Sequence, residues 1–398
     1  MKKISTGLEE LILVKKNQDL IKGSIGLLCH SASIDSNYQL GVLPLKKIFK
    51  KRLKKLFGPQ HGFVTDVQDN MVETKNFHHP YLDLPIFSLY GETRSPNEEM
   101  LEGLDSILVD LQDVGTRVYT YISTLALLMK ECEKRKIEVI ILDRPNPVGG
   151  TIIEGNILEE EFASFVGLHP IPMRHGLTMG EVARYFQKYF YPTCKLTVIP
   201  MKGWKRAMFF KDTGLPWVNP SPNLPTMEGS LTYVGTVLFE GTNISEGRGT
   251  TRSLEIFGHP KIEPWSLHEE IKKDLKKYKL GGFVLRPLIF KPTFQKFSQE
   301  TCGGFQIHIT DFKKFRPWLL GQYLVKKLRN HLGEDFKWNT SPYEYEDKKL
   351  AIDLINGSNK IRKWVESKND FNQLLDLEQE GRSKYLRQRD SILIYTKI

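Results

Sequence analysis

The sequence predicts an α/β protein with a Rossmann-like, mostly parallel sheet, followed by a smaller α+β domain. Short apolar, β-branched runs alternate with amphipathic helical segments through the first half of the chain, which is typical of parallel sheets. A loop rich in glycine then interrupts the pattern, and 398 residues are enough for two domains. We place the domain boundary near Arg248, with the Rossmann-like domain over 1–248 and the α+β domain over 249–398.

The first half contains six predicted strands and two well-marked helices. The strands are predicted at 24–30, 55–57, 85–90, 106–110, 138–143 and 195–201. A helix is predicted over 119–135 from its apolar face, and another over 178–190, because Thr178 with Glu181 three residues later is typical of a helix start.

The second half is predicted to form strands at 282–290 and 304–310, a helix near 317–332 and a lysine-rich helical tail. Seven basic residues lie between Lys46 and Lys55, with apolar residues at helical spacing among them. We interpret this segment as a surface helix with one apolar face and a solvated basic face.

Composition excludes several classes of protein. Hydrophobic residues make up 40% and charged residues 26% of the chain, which indicates an ordinary soluble, globular protein. No run approaches the roughly 20 apolar residues of a membrane-spanning helix, so no membrane partner is expected. The net charge of +10 suggests an anionic partner without naming one, and no nucleic-acid-binding motif accompanies it. The N-terminus lacks the apolar core of a signal peptide, so we expect a cytoplasmic location, with export left open.

Known cofactor and metal fingerprints are missing from the sequence. The first predicted strand is not followed by a G-x-G-x-x-G loop, and the chain contains neither a P-loop nor a G-x-S-x-G nucleophile motif. The four cysteines are far apart and form no C-x-x-C pair. We therefore expect no cofactor, no metal and no disulfide framework.

Polar side chains follow five of the predicted strands. Ligands of open α/β sheets bind outside the carboxyl ends of the strands, so these segments should meet at one edge. The residues that follow the strands include His30, His61, Glu92, Asp110 with Asp113, and Asp143 with Arg144. Acidic groups at the end of a buried strand are costly to desolvate unless they bind a ligand or a partner. The sequence leaves open whether Asp143 and Arg144 form a structural ion pair or contact a ligand.

A second cluster of charges lies in a glycine-rich loop. Glu240, Glu246 and Arg248 follow an apolar run, and arginine recognises planar carboxylates through two parallel hydrogen bonds. This loop therefore favours a carboxylate-bearing ligand, with structural pairing as the alternative. His61 and His175 both stand in turns next to glycine, where each could be a ligand-binding or a structural histidine.

Six motifs occur in order along the chain. They are Gly58-Pro59-Gln60-His61-Gly62, Ser88-Leu89-Tyr90-Gly91-Glu92-Thr93, Asp110-Leu111-Gln112-Asp113-Val114-Gly115-Thr116-Arg117, Asp143-Arg144-Pro145-Asn146-Pro147, Pro220-Ser221-Pro222-Asn223, and the segment from Phe239-Glu240-Gly241 to Arg248-Gly249-Thr250. Together they resemble the exo-β-N-acetylmuramidase NamZ family, from about Ile25 to the C-terminus. The sequence departs from the family pattern at Gln60, where members usually carry Glu.

The resemblance implies a two-domain glycosidase, with its catalytic Rossmann-like domain and its smaller domain bordering one cleft. It implies release of terminal β-linked N-acetylmuramic acid from the non-reducing end of peptidoglycan fragments, during cell-wall turnover or recycling. A muropeptide-binding or sensing protein without catalysis is the alternative. The substrate would be a small muropeptide or disaccharide, and the oligomeric state stays open.

The resemblance also implies roles for the residues of the motifs. Glycoside hydrolysis needs a proton donor and a second group at the anomeric centre. We expect Glu92 as the general acid, with its pKa raised by burial in the cleft, and Asp113 or Asp110 as the second group. The substrate's own acetamido group could also attack. The lactyl carboxylate needs a cation, for which Arg117, Arg144 and Arg248 are the candidates. The other expected substrate-binding residues are His61, Asp143, His175, Asn223, Glu240 and Glu246.

Overall fold

The structure is a computed structural model that describes residues 4–68 and 71–395. Its large sheet contains β1 (Ile25–Cys29), β2 (Leu53–Gly58), β3 (Phe77–His79), β4 (Leu84–Ser88), β5 (Ser106–Asp110), β6 (Glu138–Leu142) and β9 (Leu196–Ile199). A two-stranded sheet pairs β7 (Glu154–Ile157) with β8 (Pro172–Arg174), and a three-stranded sheet contains β10 (Ile256–His259), β11 (Phe283–Phe290) and β12 (Cys302–Ile309).

The α-helices of the described residues surround these sheets. In the first half they are α1 (Gly7–Leu13), α2 (Lys15–Leu20), α3 (Val42–Phe49), α4 (Glu98–Leu101), α5 (Tyr121–Arg135) and α6 (Met179–Tyr189). In the second half they are α7 (Met227–Thr236), α8 (Pro264–Lys277), α9 (Pro317–Leu332), α10 (Ala351–Asn356), α11 (Lys360–Glu366), α12 (Phe371–Gln379) and α13 (Arg382–Asp390).

The large sheet has the order β3-β4-β2-β1-β5-β6-β9, and every neighbouring pair is parallel except β3 with β4. Counted in chain order, its six parallel strands lie in the order 3-2-1-4-5-6, which is the doubly wound Rossmann arrangement. All residues of β1 and β5 are buried, because helices cover both faces of such a sheet and only apolar strands tolerate that position. The predicted Rossmann-like sheet is confirmed.

The individual elements follow the predicted positions closely. All six strands predicted in the first half are present, and the strand at 106–110 has the predicted limits. The backbone N–H of Glu181 donates to Thr178 Oγ1 at 3.3 Å, while Glu181 Oε2 accepts from the backbone N–H of Thr178 at 3.1 Å. This reciprocal capping box confirms the predicted start of α6.

The predicted basic helix over 46–55 is wrong in its extent. Helix α3 ends at Phe49, where Lys50 adopts φ 49°, and strand β2 begins at Leu53. The apolar residues that looked helical belong to two elements, since β2 buries its own apolar side chains in the sheet. Several basic side chains of this segment donate hydrogen bonds to backbone carbonyls. Arg52 donates to Ile21 O at 2.5 Å, and Lys55 donates to Glu99 O at 2.8 Å.

The second half packs as an α+β layer around β10-β12-β11, as predicted. Helices α7 and α9 cross at two glycines: a Cβ on Gly235 would lie 2.0 Å from the carbonyl oxygen of Pro317, and one on Gly321 would lie 2.5 Å from that of Gly235. Any larger residue would force these helices apart. The domain boundary near Arg248 stays a prediction. Within the described residues, none of the helices has the length and apolarity needed to cross a bilayer.

Candidate active site

A buried pocket lies where the carboxyl end of the large sheet meets the second half of the chain. Segments that are distant in sequence contribute its polar wall, and every one of these side chains is less than 9% exposed. From the first half it is lined by Gln60, His61 and Thr120, and from the second half by Ser221, Asn223, Tyr233, Glu240, Arg248, Tyr343 and Glu344. Of the five segments predicted to converge, the loop after β2 supplies residues to the pocket wall, and the start of α5 adds Thr120.

Glu344 is one of two buried carboxyl groups that line this pocket. Its Oε1 accepts from Gln60 Nε2 at 3.1 Å and its Oε2 accepts from Tyr90 OH at 2.7 Å, while Thr120 Oγ1 donates to Gln60 Oε1 at 2.5 Å. Burial raises the pKa of Glu344 above its ordinary value, and the charge of Glu240 acts in the same direction. The hydrogen bonds from Tyr90 and Gln60 oppose this shift without cancelling it. Such a carboxyl group is suited to hold and deliver a proton.

Arg248 forms the cationic side of the pocket. Its Nη2 donates to Glu240 Oε1 at 2.7 Å, its Nε lies 3.1 Å from Glu246 Oε1, and Tyr343 OH donates to Glu240 Oε2 at 2.7 Å. Lys296 Nζ lies 2.9 Å from the other oxygen of Glu246. The sequence left open whether the charged residues of this loop pair with each other, and these ion pairs are present in the structure. However, Arg248 Nη1 is buried and has no hydrogen-bond partner among the described residues, so one donor is available to a ligand.

The two glutamates of this loop differ in position. Glu240 lines the pocket, whereas Glu246 lies behind Arg248 and does not reach the pocket wall. Burial raises the pKa of Glu246, but the charges of Lys296 and Arg248 outweigh burial and hold that pKa below its ordinary value. Glu246 therefore acts as a fixed counter-charge for Arg248, which corrects its expected role in direct substrate contact.

His61 and Asn223, two of the expected substrate-binding residues, both lie on the pocket wall. His61 has φ 69° in its turn, and its Nδ1 lies 2.8 Å from Val67 O. Burial lowers the pKa of His61 to about 4, so its ring is neutral at physiological pH. Asn223 is held by its Nδ2, which donates to Gln68 O at 2.6 Å, and by Ser253 Oγ, which donates to its Oδ1 at 3.2 Å.

Asp113 and His175 form a buried pair below the pocket. His175 Nδ1 accepts from the backbone N–H of Leu177 at 3.2 Å, and its Nε2 lies 3.5 Å from Asp113 Oδ2 without a hydrogen bond between them. Asp113 Oδ2 accepts from the backbone N–H of Gly115 at 2.7 Å, and Asp113 Oδ1 has no hydrogen-bond partner among the described residues. Gly115 thus holds one oxygen of Asp113, and His175 is fully buried beside it.

Asp110 and Arg144 are committed to each other. Arg144 Nε and Nη2 donate to the two oxygens of Asp110 at 2.5 and 3.0 Å, and Nη2 also donates to Ile34 O at 2.9 Å. Both side chains are at most 5% exposed. This two-point ion pair corrects two expectations: Asp110 is not the second group at the anomeric centre, and Arg144 is not the cation for a substrate carboxylate.

Asp143 has a structural role instead of the expected substrate contact. It follows β6 on the opposite face from Arg144, because successive side chains of an extended segment alternate. Its carboxylate accepts from Gly180 N at 2.8 Å, Thr178 Oγ1 at 2.8 Å and Tyr395 OH at 2.6 Å, so it joins the start of α6 to the C-terminal tail. Burial raises the pKa of Asp143 to about 6.

We predict that Tyr395→Phe destabilises the protein by about 2 kcal/mol at pH 7, because a buried carboxylate loses a donor. Tyr395 OH also accepts from Met201 N at 2.9 Å, and this N–H would lose its partner. The folded protein retains the Asp143 proton that the unfolded chain loses between about pH 4 and 6, so ionisation of Asp143 lowers stability as pH rises through that window. The loss in Tyr395→Phe should therefore be smaller at pH 5.

Chemical denaturation at pH 7 and pH 5 measures this difference. Tyr38→Phe is the matched control, because Tyr38 is 67% exposed. An equal loss at both pH values would show that the hydrogen bond does not depend on the charge of Asp143.

Arg117 is also structural. Its side chain is completely buried, and its guanidinium donates to the backbone carbonyls of Asn156, Ile171 and Ile355 at 3.2, 2.9 and 2.8 Å. Burial lowers its pKa to about 9. Because these contacts tie the first half of the chain to α10, Arg117 cannot turn toward a ligand, which corrects its expected role as the carboxylate-binding cation.

Glu92 lies outside the buried pocket. Its side chain is exposed, so the expected burial in the cleft is absent. Nearby, Arg94 Nη1 donates to Gly91 O at 2.7 Å, and its guanidinium stacks 3.6 Å from the ring centre of Tyr345. Glu92 thus belongs to a polar rim, and its role as general acid stays a prediction.

Sequence reasoning missed Glu344, Tyr343, Tyr233 and Thr120. The signal that could have identified the first two is the run Pro342-Tyr343-Glu344-Tyr345, in which an acid stands between two aromatic residues. Thr120 stands at the start of α5, three residues after the motif that runs from Asp110 to Arg117. In that motif only the charged residues were expected to act.

In the large sheet, the strand order reverses at one point, the usual place for a cofactor in this kind of fold. At its switch point, between β1 and β5, a small cavity is lined by Gln112, Arg144, Phe210 and Trp217, and the last two rings pack edge to face at 4.9 Å. Within residues 4–68 and 71–395, no group of three or more His, Cys, Asp or Glu side chains could hold a metal ion. The four cysteines are buried and unpaired.

Comparisons with known proteins agree along the whole chain. Residues 25–228 match the family model described as exo-beta-N-acetylmuramidase NamZ, N-terminal, and residues 231–395 match the corresponding C-terminal model. Over 394 residues, 99% of the chain, it is 39% identical to the peptidoglycan beta-N-acetylmuramidase NamZ of Bacillus subtilis (strain 168), of which it covers 92%. Two crystal structures of DUF1343 family proteins from Bacteroides fragilis are similar over 100% of both chains, with TM-scores of 0.86 and 0.74 at 30% and 25% identity.

Proposed function

This chain belongs to the exo-β-N-acetylmuramidase NamZ family, and on that premise we propose that its buried pocket holds the terminal N-acetylmuramic acid of a peptidoglycan fragment. The chain is a hydrolase of the glycosidase class that acts on peptidoglycan. One observation carries the assignment of the site. The wall of a single pocket combines Glu344, a buried carboxyl group with a raised pKa, with Arg248, a buried guanidinium that keeps a free donor.

Arg248 is the residue we propose for recognition of muramic acid. This sugar carries a lactyl carboxylate that N-acetylglucosamine lacks, and arginine is the side chain best suited to a planar carboxylate. The other two candidate cations are held by protein groups. Arg117 donates to three backbone carbonyls, although its Nε has no hydrogen-bond partner among the described residues, and Arg144 donates to both oxygens of Asp110. The counter-charges Glu240 and Glu246 fix the Arg248 side chain, which lowers the entropic cost of binding.

We propose Glu344 as the proton donor to the glycosidic oxygen. A general acid must be protonated when the leaving group departs, and the raised pKa of Glu344 favours that state. Asp113 stays the second group in this proposal, because its Oδ1 has no hydrogen-bond partner among the described residues while Gly115 holds its Oδ2, although Asp113 itself does not line the pocket wall. It would either attack the anomeric carbon or orient the acetamido group that does. Glu92, on the rim, is the alternative proton donor.

The proposed function is tested by hydrolysis of chromogenic β-glycosides. The purified protein should release the chromophore from an aryl β-N-acetylmuramide, and act far more slowly on the matching aryl β-N-acetylglucosaminide. Equal rates on the two substrates would contradict selection through the lactyl carboxylate. No release from either would contradict the assignment of this pocket as a glycosidase site.

We predict that Tyr90→Phe moves the alkaline limb of the kcat/KM profile to higher pH. Tyr90 OH donates to Glu344 Oε2, and this hydrogen bond lowers the pKa of Glu344. Its removal raises that pKa, so the protonated acid persists to higher pH and activity persists with it. The profile of the variant is compared with those of the wild type and of Tyr81→Phe, since Tyr81 is 79% exposed in the turn between β3 and β4. An unchanged limb would remove Glu344 from the titration that limits the rate.

The proposed substrates are small muropeptides or disaccharides that end in N-acetylmuramic acid, because the buried pocket admits a chain end more readily than the middle of a glycan. This would place the enzyme in turnover or recycling of wall fragments. The cytoplasmic location stays a prediction.

A further inference from the structure

Tyr345 is a large exposed aromatic side chain directly beside the proposed acid. It follows Glu344 in the chain, and its side chain is 54% exposed whereas Glu344 is 7% exposed. Both residues have positive φ angles, 47° and 68°, which turn the two side chains apart. Tyr90 links them, because its hydroxyl donates to Glu344 and its ring centre lies 6.4 Å from that of Tyr345.

The Tyr345 ring is held in place from one side. The Arg94 guanidinium lies 3.6 Å from its ring centre, and Tyr345 OH donates to Glu73 Oε1 at 3.2 Å. Arg94 is itself fixed, since its Nη1 donates to Gly91 O at 2.7 Å and to Glu73 Oε1 at 3.2 Å. With Arg94 over the ring, 54% of the Tyr345 side chain is still exposed to solvent. A rigid aromatic surface of this kind gives contact area at low entropic cost.

We propose that the exposed face of Tyr345 binds the sugar on the leaving-group side of the scissile bond. This inference rests on the proposed function, in which the terminal sugar fills the pocket and Glu344 protonates the bond that leads out of it. The next sugar must then lie outside the pocket and next to Glu344, where Tyr345 is the adjacent exposed ring. A pyranose presents a face of C–H groups that packs on an aromatic ring, while its hydroxyl and acetamido groups remain available to polar rim residues such as Glu92 and Arg94.

A comparison of two substrates tests this role. The first is the disaccharide in which N-acetylmuramic acid is β-linked to N-acetylglucosamine, and the second is methyl β-N-acetylmuramide, which has no sugar on the leaving-group side. For Tyr345→Ala, we expect kcat/KM on the disaccharide to fall by about tenfold, mainly through KM, with little change on the methyl glycoside. Tyr345→Phe keeps the ring and should restore most of the activity on the disaccharide.

Tyr81→Ala is the control, because it removes a tyrosine that is 79% exposed and does not line the pocket. If Tyr345→Ala lowers activity on both substrates equally, the ring positions Glu344 and does not bind the sugar, and the inference is overturned. A wild-type protein that hydrolyses neither substrate would instead overturn the proposed function. The two failures are therefore distinguishable.

Discussion

Glu344→Gln is expected to lower kcat on the disaccharide by about two to four orders of magnitude, because the glycosidic oxygen loses its proton donor. The substitution preserves size and shape, and Tyr90 OH can still donate to the remaining carbonyl oxygen, so the fold should be retained. The decisive measurement uses a second substrate with a dinitrophenyl leaving group, which departs without protonation. On that substrate the variant should recover most of its activity, since only the acid step is impaired.

The same pair of substrates distinguishes Glu344 from Glu92. A large loss on the disaccharide with recovery on the dinitrophenyl glycoside identifies the proton donor, whichever of the two variants, Glu344→Gln or Glu92→Gln, shows it. Glu346→Gln is the matched control, because it changes an acid two residues away that does not line the pocket. If Glu92→Gln shows this behaviour and Glu344→Gln does not, the buried carboxyl group is structural and the acid lies on the rim.

Arg248→Lys is expected to lower kcat/KM on the aryl muramide by about a hundredfold, because a lysine keeps the charge but loses the planar two-point geometry that a carboxylate needs. The effect on the aryl glucosaminide should be small, since that sugar has no lactyl carboxylate. The ratio of the two kcat/KM values is therefore the diagnostic quantity. Lysine is preferred to a neutral residue because Glu240 and Glu246 would otherwise be buried without a counter-charge, which costs several kcal/mol.

Arg252→Lys controls for the change of residue type in the same loop. Arg252 is 47% exposed and pairs with Glu255 at 3.4 Å, outside the pocket. Thermal denaturation of Arg248→Lys accompanies the kinetics, so that a loss of folded protein is separated from a loss of recognition. An equal fall on both glycosides would indicate that Arg248 only supports the pocket.

Local sequence motifs identify some of the residues that line the pocket, but not the contacts of every expected site residue. His61, Asn223, Glu240 and Arg248 were named from turn and loop motifs and line the pocket. The predicted strand ends are close to those in the structure, yet the carboxylates of Asp110 and Asp143 have structural partners. The end of a strand determines where a side chain lies in the chain, but it does not determine which residues that side chain contacts. Asp110 meets Arg144, and Asp143 meets Tyr395, which is 252 residues away in sequence.

Sequence by itself determined the positions of the strands along the chain, the start of α6 and the family, because these depend on apolar patterning, capping residues and ordered motifs that are local in the chain. Only the tertiary structure decided which charged groups remain available for chemistry. Gln60 and Glu344 are 284 residues apart and share a hydrogen bond. The Arg117 guanidinium donates to the backbone carbonyl of Ile355, 238 residues away. Whether a buried charge is paired or free depends on such long-range neighbours. The proposed acid was therefore found through its contacts, and not through its own motif.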